Sequence, residues 1–301
     1  ARPAGTGPLR AIFSLSGDLA PSLDGQDLVF SDAEGPVFRY SGLAAQDANG
    51  RSLPARLIPV GNQLIWEIDD AGAVYPVRID PLVTQVKVLT ASDQADSDEF
   101  GYSVAVDGTT AIVGARWADS GGSDRGQAYI FYKDQGGADN WGEVAILTAS
   151  DKADNDQFGN SVAVDGTTAI VGAPYADSGG SDRGQAYIFS KDQGGADTWG
   201  QVAFLSASDK ADSDRFGYSV AVDGTTAIVG AVWADSGGSN RGQGYIFYKD
   251  QGGADSWGQV AILSASDKAD SDWFGNSVAV DGTTAIVGAR WADSGGSDRG
   301  Q

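Results

Sequence analysis

Short apolar runs, each bounded by Gly, Asp, Asn or Ser, follow one another along most of the chain. Residues 144–191 contain four of them, which read VAILTAS, SVAVD, TTAIVGA and QAYIFSK. Runs of this length that are rich in β-branched residues and separated by turn residues are typical of strands. The pattern predicts four strands here, with the Asp165-Gly166 turn joining the second to the third as a tight hairpin.

This four-strand pattern recurs at a fixed spacing. Phe-Gly opens a copy at Phe100, Phe158, Phe216 and Phe274, and consecutive copies are 58 residues apart. Four antiparallel strands per repeat are typical of a β-propeller blade, whereas the coils of a β-solenoid are shorter and need no internal hairpin. We therefore predict an all-β fold in which residues 83–301 form a β-propeller-like array of four-stranded blades.

The last copy is incomplete under this interpretation. It stops at Gln301, where its fourth strand is expected to begin. Three explanations stay open: a shortened repeat gene product, a four-bladed ring with one defective blade, or an open array that another chain completes. In the third case a neighbour donates the missing strand to the exposed sheet edge, and self-association follows.

Residues 1–82 do not share the repeat. They contain six further apolar runs bounded by turn residues, at 11–16, 27–30, 37–42, 55–60, 62–69 and 73–80. These runs predict a small β-sandwich-like domain, and Pro81 marks the expected hinge into the repeats.

The composition narrows the class of function. The chain has 41 acidic and 20 basic residues, which gives a formal charge of −21, and it contains neither Cys nor His. Such a negative field repels nucleic acid and anionic lipid, and no apolar run is long enough to insert into a membrane. Serine has no histidine to activate it, and near-identical repeats do not single out one catalytic carboxylate pair. We therefore predict that the protein is not an enzyme.

Aspartates before each Phe-Gly are the candidate metal ligands, because several carboxylates in one short loop suit a hard cation such as calcium. Solvated turn carboxylates and caps are the alternative interpretation, since the loop has no EF-hand glycine or bidentate glutamate. Calcium is the one candidate cofactor. The residues are Asp93, Asp96 and Asp98; Asp151, Asp154 and Asp156; Asp209, Asp212 and Asp214; and Asp267, Asp270 and Asp272.

A second acidic loop contains Asp119, Ser120, Asp124 and Arg125, and it recurs in the later copies, where Asn240 replaces one aspartate. Because the arginine can pair with a local carboxylate, this loop is interpreted as a structural turn network.

One aromatic residue follows the Gly-Ala end of each third run. These residues are Trp117, Tyr175, Trp233 and Trp291, and a closed ring would place them in a circle near one rim. Aromatic faces arranged in this way can stack on sugars, which makes them the candidate ligand-binding rim. Packing between blades is the alternative interpretation.

Phe-Gly, then Ser-Val-Ala-Val, then Ala-Ile-Val-Gly-Ala-Pro resemble the FG-GAP repeat of integrin α subunits and of secreted bacterial proteins. The full Gly-Ala-Pro occurs at Gly172-Ala173-Pro174, while the other copies end in Arg or Val. The resemblance implies a non-enzymatic extracellular binding or adhesion propeller. Many family members hold calcium in the hairpin after the Phe-Gly strand, but here that hairpin is only Asp107-Gly108-Thr109-Thr110 and its copies, too short for five or six ligands.

Together these features predict a secreted or cell-surface structural and adhesive module. Its expected partners are a protein or glycan at the cell surface and a second copy of itself. The alternative is a multivalent, lectin-like propeller that binds carbohydrate through the aromatic rim, with or without calcium.

Overall fold

The computed structural model describes residues 7–14, 20–24, 27–31, 36–40, 43–61, 63–81, 88–135, 140–193, 195, 198–253, 256–293 and 299–300. Contacts divide the chain into two compact units, residues 1–86 and 87–301. The predicted boundary after residue 82 falls in 82–87, outside the described residues. The structure is all-β, as predicted.

The first unit is built from three antiparallel three-stranded sheets. Their orders are β1-β8-β7, β2-β3-β4 and β6-β5-β9. The strands are β1 Leu9–Ser14, β2 Ala20–Asp24, β3 Asp27–Ser31, β4 Pro36–Tyr40, β5 Leu43–Gln46, β6 Ser52–Leu53, β7 Ala55–Val60, β8 Gln63–Ile68 and β9 Arg78–Pro81.

Most of the predicted strands of this unit overlap observed ones, and β7 matches the predicted 55–60. The prediction missed β2, β5 and β6, which are short or lack β-branched residues. The predicted run 73–80 is a strand only from Arg78 onward, because Pro76 has no N–H to donate to a ladder.

The second unit repeats one four-stranded antiparallel sheet, as predicted. We call β10-β11-β12-β13 blade 1, β14-β15-β16-β17 blade 2 and β18-β19-β20-β21 blade 3; a two-stranded sheet, the β22–β23 hairpin, follows. The strands are β10 Phe100–Asp107, β11 Thr110–Ala115, β12 Gln127–Tyr132, β13 Gly142–Leu147, β14 Ser161–Asp165, β15 Thr168–Ala173, β16 Gln185–Lys191, β17 Trp199–Leu205, β18 Phe216–Asp223, β19 Thr226–Ala231, β20 Gln243–Lys249, β21 Trp257–Leu263, β22 Phe274–Asp281 and β23 Thr284–Ala289.

The predicted order of strands within a blade was wrong by one strand. The run that begins at Val144 does not open blade 2, because it pairs with β12 and closes blade 1. Each blade instead begins at Phe-Gly and ends with the strand after the Trp-Gly pair. Gln301 is therefore equivalent to Gln127, the first residue of a third strand rather than of a fourth.

The two faces of every blade have different neighbours. In blade 2 the leading face carries Val162 and Val164 and packs on blade 1, while the trailing face carries Ile170 and Ile188 and packs on blade 3. Because both faces are covered, the TAIVGA strand is buried almost throughout and does not alternate with polar residues. Sheet stacking therefore builds the core between successive blades.

Two glycines explain why Phe-Gly and Gly-Ala recur together. A Cβ on Gly172 would lie 2.9 Å from the carbonyl carbon of Gly217 and closer still to its oxygen, so the end of the Gly-Ala strand lies directly against the next Phe-Gly. Gly217 itself has φ +89°, a conformation that L side chains rarely adopt. The preceding Phe216 is fully buried against Tyr245 and Phe247 of its own blade. The two motifs are thus the two sides of one blade-to-blade contact.

Candidate functional site

Each of the four predicted rim residues lies in the turn after a second strand: three lie in blades 1 to 3, and Trp291 follows the β22–β23 hairpin. Three of them are linked by residues that precede Phe-Gly. The Arg215 guanidinium lies 4.4 Å from the ring centre of Tyr175 and 3.3 Å from that of Trp233. Trp273 then lies 6.1 Å from both Trp233 and Trp291. We call these five residues the aromatic ladder.

Trp117 lies in a separate group in blade 1. Arg116 is 4.8 Å from the Trp117 ring centre and 3.7 Å from that of Tyr102, and its Nε donates a 2.7 Å hydrogen bond to Glu99. The structure therefore brings three predicted rim residues into one stack and places the fourth beside its own arginine.

Sequence reasoning missed Arg215 and Trp273. Both occupy the position before Phe-Gly, where the first two copies have Glu99 and Gln157. The change of residue type at this position, within a stretch that otherwise repeats, is the sequence signal that could have identified them. Arg215 Nε is buried and has no hydrogen-bond partner among the described residues, and two aromatic rings flank this guanidinium.

The aromatic ladder leaves little free ring face. The Trp273 and Trp291 rings meet at 84°, which places the edge of one against the face of the other, and Arg215 lies over both Tyr175 and Trp233. Trp291 is the most accessible member, with 36% of its surface exposed. A sugar could therefore stack most readily at the Trp291 end.

The three aspartates of the second predicted metal loop have three different partners. Asp156 Oδ2 accepts a 2.6 Å hydrogen bond from the Ala153 N–H of its own loop. Asp154 Oδ1 accepts a 2.7 Å hydrogen bond from Arg125 Nε of the preceding blade. The hydroxyl of Tyr187 faces Asp151.

The other copies repeat this division of roles. Asp98, Asp214 and Asp272 also accept the N–H of the residue three positions earlier; Asp212 and Asp270 also accept an arginine Nε; Asp93 accepts the Tyr129 hydroxyl, and Asp209 accepts Gln243 Nε2. Within the described ranges, no three acidic side chains form a group that could hold a metal ion. This arrangement fits caps and ion pairs rather than a cation cage, and calcium binding stays a prediction.

The aspartates of one loop differ in the direction of their pKa shifts. Burial raises the pKa of Asp156 to about 6, with a further contribution from the charges of Asp151 and Asp177. Burial likewise raises the pKa of Asp214. In contrast, the hydrogen bond from Arg125 holds the pKa of Asp154 below its ordinary value. The second and third loops therefore each contain one carboxylate whose ionisation burial disfavours and one that an arginine stabilises in the ionised form.

The second acidic loop is a turn network whose arginine reaches the next copy. The N–H of Asp124 donates to Asp119 Oδ1 at 3.3 Å, and Lys152 Nζ donates to Ser120 Oγ at 2.8 Å. Arg125 was predicted to pair with a carboxylate of its own loop, but its partner is Asp154 of the next copy. Asn240 can replace the aspartate because this position makes its contacts through the backbone: the N–H donates to Asp235, and the carbonyl accepts from the Trp273 N–H. The left-handed conformation here is one that Asp and Asn both tolerate.

Comparison with known proteins agrees with the repeat structure. The family model described as the FG-GAP repeat matches residues 83–131, 141–189, 199–247 and 257–301. Each of the second and third matched segments combines the last strand of one blade with the first three strands of the next. No curated protein matches the chain. No helix among the described residues is long and apolar enough to cross a membrane. Because the matched segments cover more than half of the chain, this protein belongs to the FG-GAP repeat family.

Proposed function

We propose that the repeat region is a non-enzymatic, extracellular structural and adhesive module. The observation that carries this proposal is the use of its polar side chains: the repeated Asp, Arg, Lys and Ser residues hold one blade to the next. Arg183 reaches Asp212, Lys210 reaches Ser178, and Ser161 reaches the carbonyl of Gly217. FG-GAP repeats are generally non-enzymatic, mediate binding and occur in extracellular proteins.

The proposed partners are proteins or glycans at a cell surface. A formal charge of −21 disfavours nucleic acid and anionic lipid. Repeated blades present equivalent surfaces several times, so that weak individual contacts can add up when the partner is itself repeated on a surface.

The test is retention of beads that carry the intact chain on a cell monolayer, with analysis of the medium for released products. Retention without release supports the proposal, and prior treatment of the cells with protease or glycosidase identifies the partner class. Product release that is abolished by a single Asp→Asn change would instead indicate an enzyme, and beads that wash off like uncoated beads would contradict adhesion.

A lectin-like propeller is the second candidate, because the aromatic ladder has an accessible end at Trp291. A glycan array probed with the chain tests it, in calcium and after chelation. Loss of glycan binding in the combined Trp117→Ala, Trp233→Ala and Trp291→Ala variant supports this function. The control is Trp199→Phe, since Trp199 Nε1 donates a 2.8 Å hydrogen bond to Tyr132 inside the blade-to-blade contact.

Self-association through the incomplete last blade is part of the proposal. The β22–β23 hairpin is a two-stranded sheet, whereas each of the three blades has four strands. Unpaired backbone groups on an edge strand can accept a further strand.

A further inference from the structure

The four copies of the repeat differ at a few positions close to Phe-Gly and Gly-Ala. Over the sixteen residues 100–115 and their equivalents, one position alone changes, and it reads Tyr102, Asn160, Tyr218 and Asn276. The position before Phe-Gly reads Glu99, Gln157, Arg215 and Trp273, and the position after Gly-Ala reads Arg116, Pro174, Val232 and Arg290. Changes of charge and size on a scaffold that is otherwise constant are typical of a recognition site.

These variable positions meet in the fold. The first strands of successive copies, β10, β14, β18 and β22, contact one another. Burial raises the pKa of Tyr218, and side chains from all four copies act on it as well, namely Tyr102, Arg290, Tyr175 and Arg215. The surroundings of the Tyr218 hydroxyl are therefore built by four copies that each contribute a different residue.

Two of the arginines at this place have no acidic partner. Neither Arg215 nor Arg290 forms an ion pair among the described residues, although the chain has 41 acidic residues. Arg116 occupies the position equivalent to Arg290 and donates to Glu99, but Trp273 takes the place of that glutamate in the fourth copy. The substitution within the copy itself thus removes the carboxylate that would neutralise Arg290.

The arginines that hold the blades together are different in this respect. Each of them donates a hydrogen bond of 2.7–2.8 Å to an aspartate of the next copy, and the pairs are Arg125 with Asp154, Arg183 with Asp212, and Arg241 with Asp270. Arg215 and Arg290 therefore have no such role in joining the blades, and their charges are available to a ligand.

Two buried polar atoms at the variable positions also lack a hydrogen-bond partner. They are Arg215 Nε and Asn276 Oδ1, which are two of the three such atoms among the described residues. In the second copy the equivalent Asn160 uses its Nδ2 to donate a 3.1 Å hydrogen bond to the Tyr218 carbonyl. Because buried polar groups in folded proteins are nearly always satisfied, their concentration here indicates a polar binding site.

The chemistry of this site suits a carboxylate attached to a sugar ring. Two guanidiniums that act on one hydroxyl repel each other, and a carboxylate bound by both removes the repulsion. Aromatic rings lie beside both arginines: Arg215 is flanked by Tyr175 and Trp233, and Arg290 is 4.8 Å from the ring centre of Trp291. An aromatic face next to an arginine can hold the ring and the carboxylate of one acidic sugar together.

The charge of the whole chain limits the ligand to a small anion. A polyanion extends beyond the two arginines and meets the field of a protein whose formal charge is −21. A single carboxylate is instead neutralised within the site. The same site therefore favours a sugar with one negative charge over nucleic acid or a highly sulfated glycan.

We propose that Arg215, Arg290 and Tyr218 form the binding site for a saccharide that carries one carboxylate, such as a terminal uronic or sialic acid. The two arginines bind the carboxylate, the Tyr218 hydroxyl forms a hydrogen bond to the ligand, and Trp291 stacks on the sugar ring. This proposal rests on the lectin-like function and names its class of glycan.

The experiment is a titration of the intact chain with methyl glucuronide and with methyl sialoside, followed by saturation-transfer NMR and tryptophan fluorescence. Methyl glucoside and the methyl ester of the sialoside are the neutral controls. We expect the acidic sugars to bind about tenfold or more tightly than their neutral counterparts, because the neutral sugars cannot form the charge-assisted hydrogen bonds.

Three variants locate the site. Arg215→Gln and Arg290→Gln should each weaken binding of the acidic sugars about tenfold or more, and Tyr218→Phe about two- to tenfold. Arg183→Gln is the matched control, because it removes the same charge from the ion pair with Asp212 and should leave sugar binding unchanged. Circular dichroism checks the fold, and Arg290→Gln decides the matter if Arg215→Gln unfolds, since Arg290 has no ion pair to lose among the described residues.

Several results would overturn the proposal. Equal affinity for acidic and neutral sugars would contradict the carboxylate site but leave the lectin-like function in place, whereas no binding of any sugar would contradict both. Tighter binding of a heparin fragment or of a glutamate-containing peptide would assign the arginines to a polyanion or to a protein partner instead. A loss of binding in Arg183→Gln as large as in Arg290→Gln would show an effect of net charge and not of a site. Retention of beads on cells tests the adhesive function independently of all these outcomes.

Discussion

Two paired glycines of blade 3 should respond in opposite ways to an added methyl group: one substitution should destabilise the protein, and the other should stabilise it. Gly230 on β19 and Gly244 on β20 are directly opposite each other in the ladder, and both face the β22–β23 hairpin. A Cβ on Gly230 would lie 2.9 Å from the carbonyl carbon of Gly275 and closer to its oxygen, with the Ser219 hydroxyl also in the way. A Cβ on Gly244 would lie 3.5 Å from Val287 Cγ2, an ordinary contact.

The expected magnitudes follow from these distances. Gly230→Ala forces the backbones of blade 3 and the hairpin apart, and overpacking of this kind costs about 1–3 kcal/mol. Gly244→Ala restricts the unfolded chain at a position where blades 1 and 2 already have Ala128 and Ala186, so it should stabilise by about 0.4–1 kcal/mol. The two variants should therefore differ by about 1.4–4 kcal/mol.

Two measurements check this pair. Urea denaturation followed by tryptophan fluorescence reports the hairpin directly, because Trp273 and Trp291 lie beside it. Hydrogen exchange of the β22 and β23 amides separates undocking of the hairpin from unfolding of all blades. Equal stability of Gly230→Ala and Gly244→Ala would refute the close glycine contact as the reason for the Phe-Gly and Gly-Ala pairing.

Three further predictions concern a buried carboxylate, the aromatic ladder and the junction hydroxyls. Asp156→Asn keeps an oxygen for the Ala153 N–H and removes a charge that burial disfavours, so at pH 7 it should stabilise by about 1–2 kcal/mol in urea denaturation. Trp273→Ala should lower stability by about 1–2 kcal/mol, and Trp273→Arg by less, since an arginine fills the equivalent place one blade earlier. Ser161→Ala should cost about 1 kcal/mol, because the Ser161 hydroxyl donates to the Gly217 carbonyl across the blade-to-blade contact.

The pH dependence of the Asp156 effect follows from the sign of its shift. Its folded pKa of about 6 lies above the ordinary aspartate value of 3.8, so the folded state binds the proton more tightly. Its stabilising contribution is complete below the unfolded pKa and is lost as pH rises through 6. The gain from Asp156→Asn should therefore disappear below pH 4, and a variant less stable than wild type at pH 7 would contradict the burial argument.

Asp154→Asn is the matched control with the opposite sign. The pKa of Asp154 is lowered by Arg125, so its contribution is present above the unfolded pKa and is lost as pH falls through the folded pKa. This variant should be less stable than wild type at pH 7. Trp273→Arg less stable than Trp273→Ala would contradict the interpretation of the ladder, and Ser161→Ala as stable as the wild type would contradict the role of the junction hydroxyl.

The repeat itself was predictable from the sequence because apolar runs and turn residues recur 58 residues apart. The order of strands within a blade was not, because a periodic pattern does not show where one sheet ends and the next begins. Val144 belongs to blade 1 because it pairs with β12, and only long-range pairing reveals this.

The candidate site was predictable in its residue types but not in its contacts. The Asp154 loop was selected as a candidate metal loop, but the arginine partner of Asp154 comes from a loop 29 residues earlier that the fold brings close. Arg215 and Trp273 were missed because they occupy a position that varies among the repeats, and repetition was the signal used. The spacing of Trp233 and Trp291 placed them on one rim, but it could not show which side chains lie between them.

The most direct test of this account is the solution mass of the intact wild-type chain by light scattering, over a concentration series in calcium and again after chelation. Self-association through the last blade predicts a mass that rises with concentration, and the contacts of the repeated aspartates between blades predict that this mass is the same in both conditions. A mass that rises only in calcium would make the aspartate loops metal sites. A monomer at every concentration in both conditions would contradict self-association.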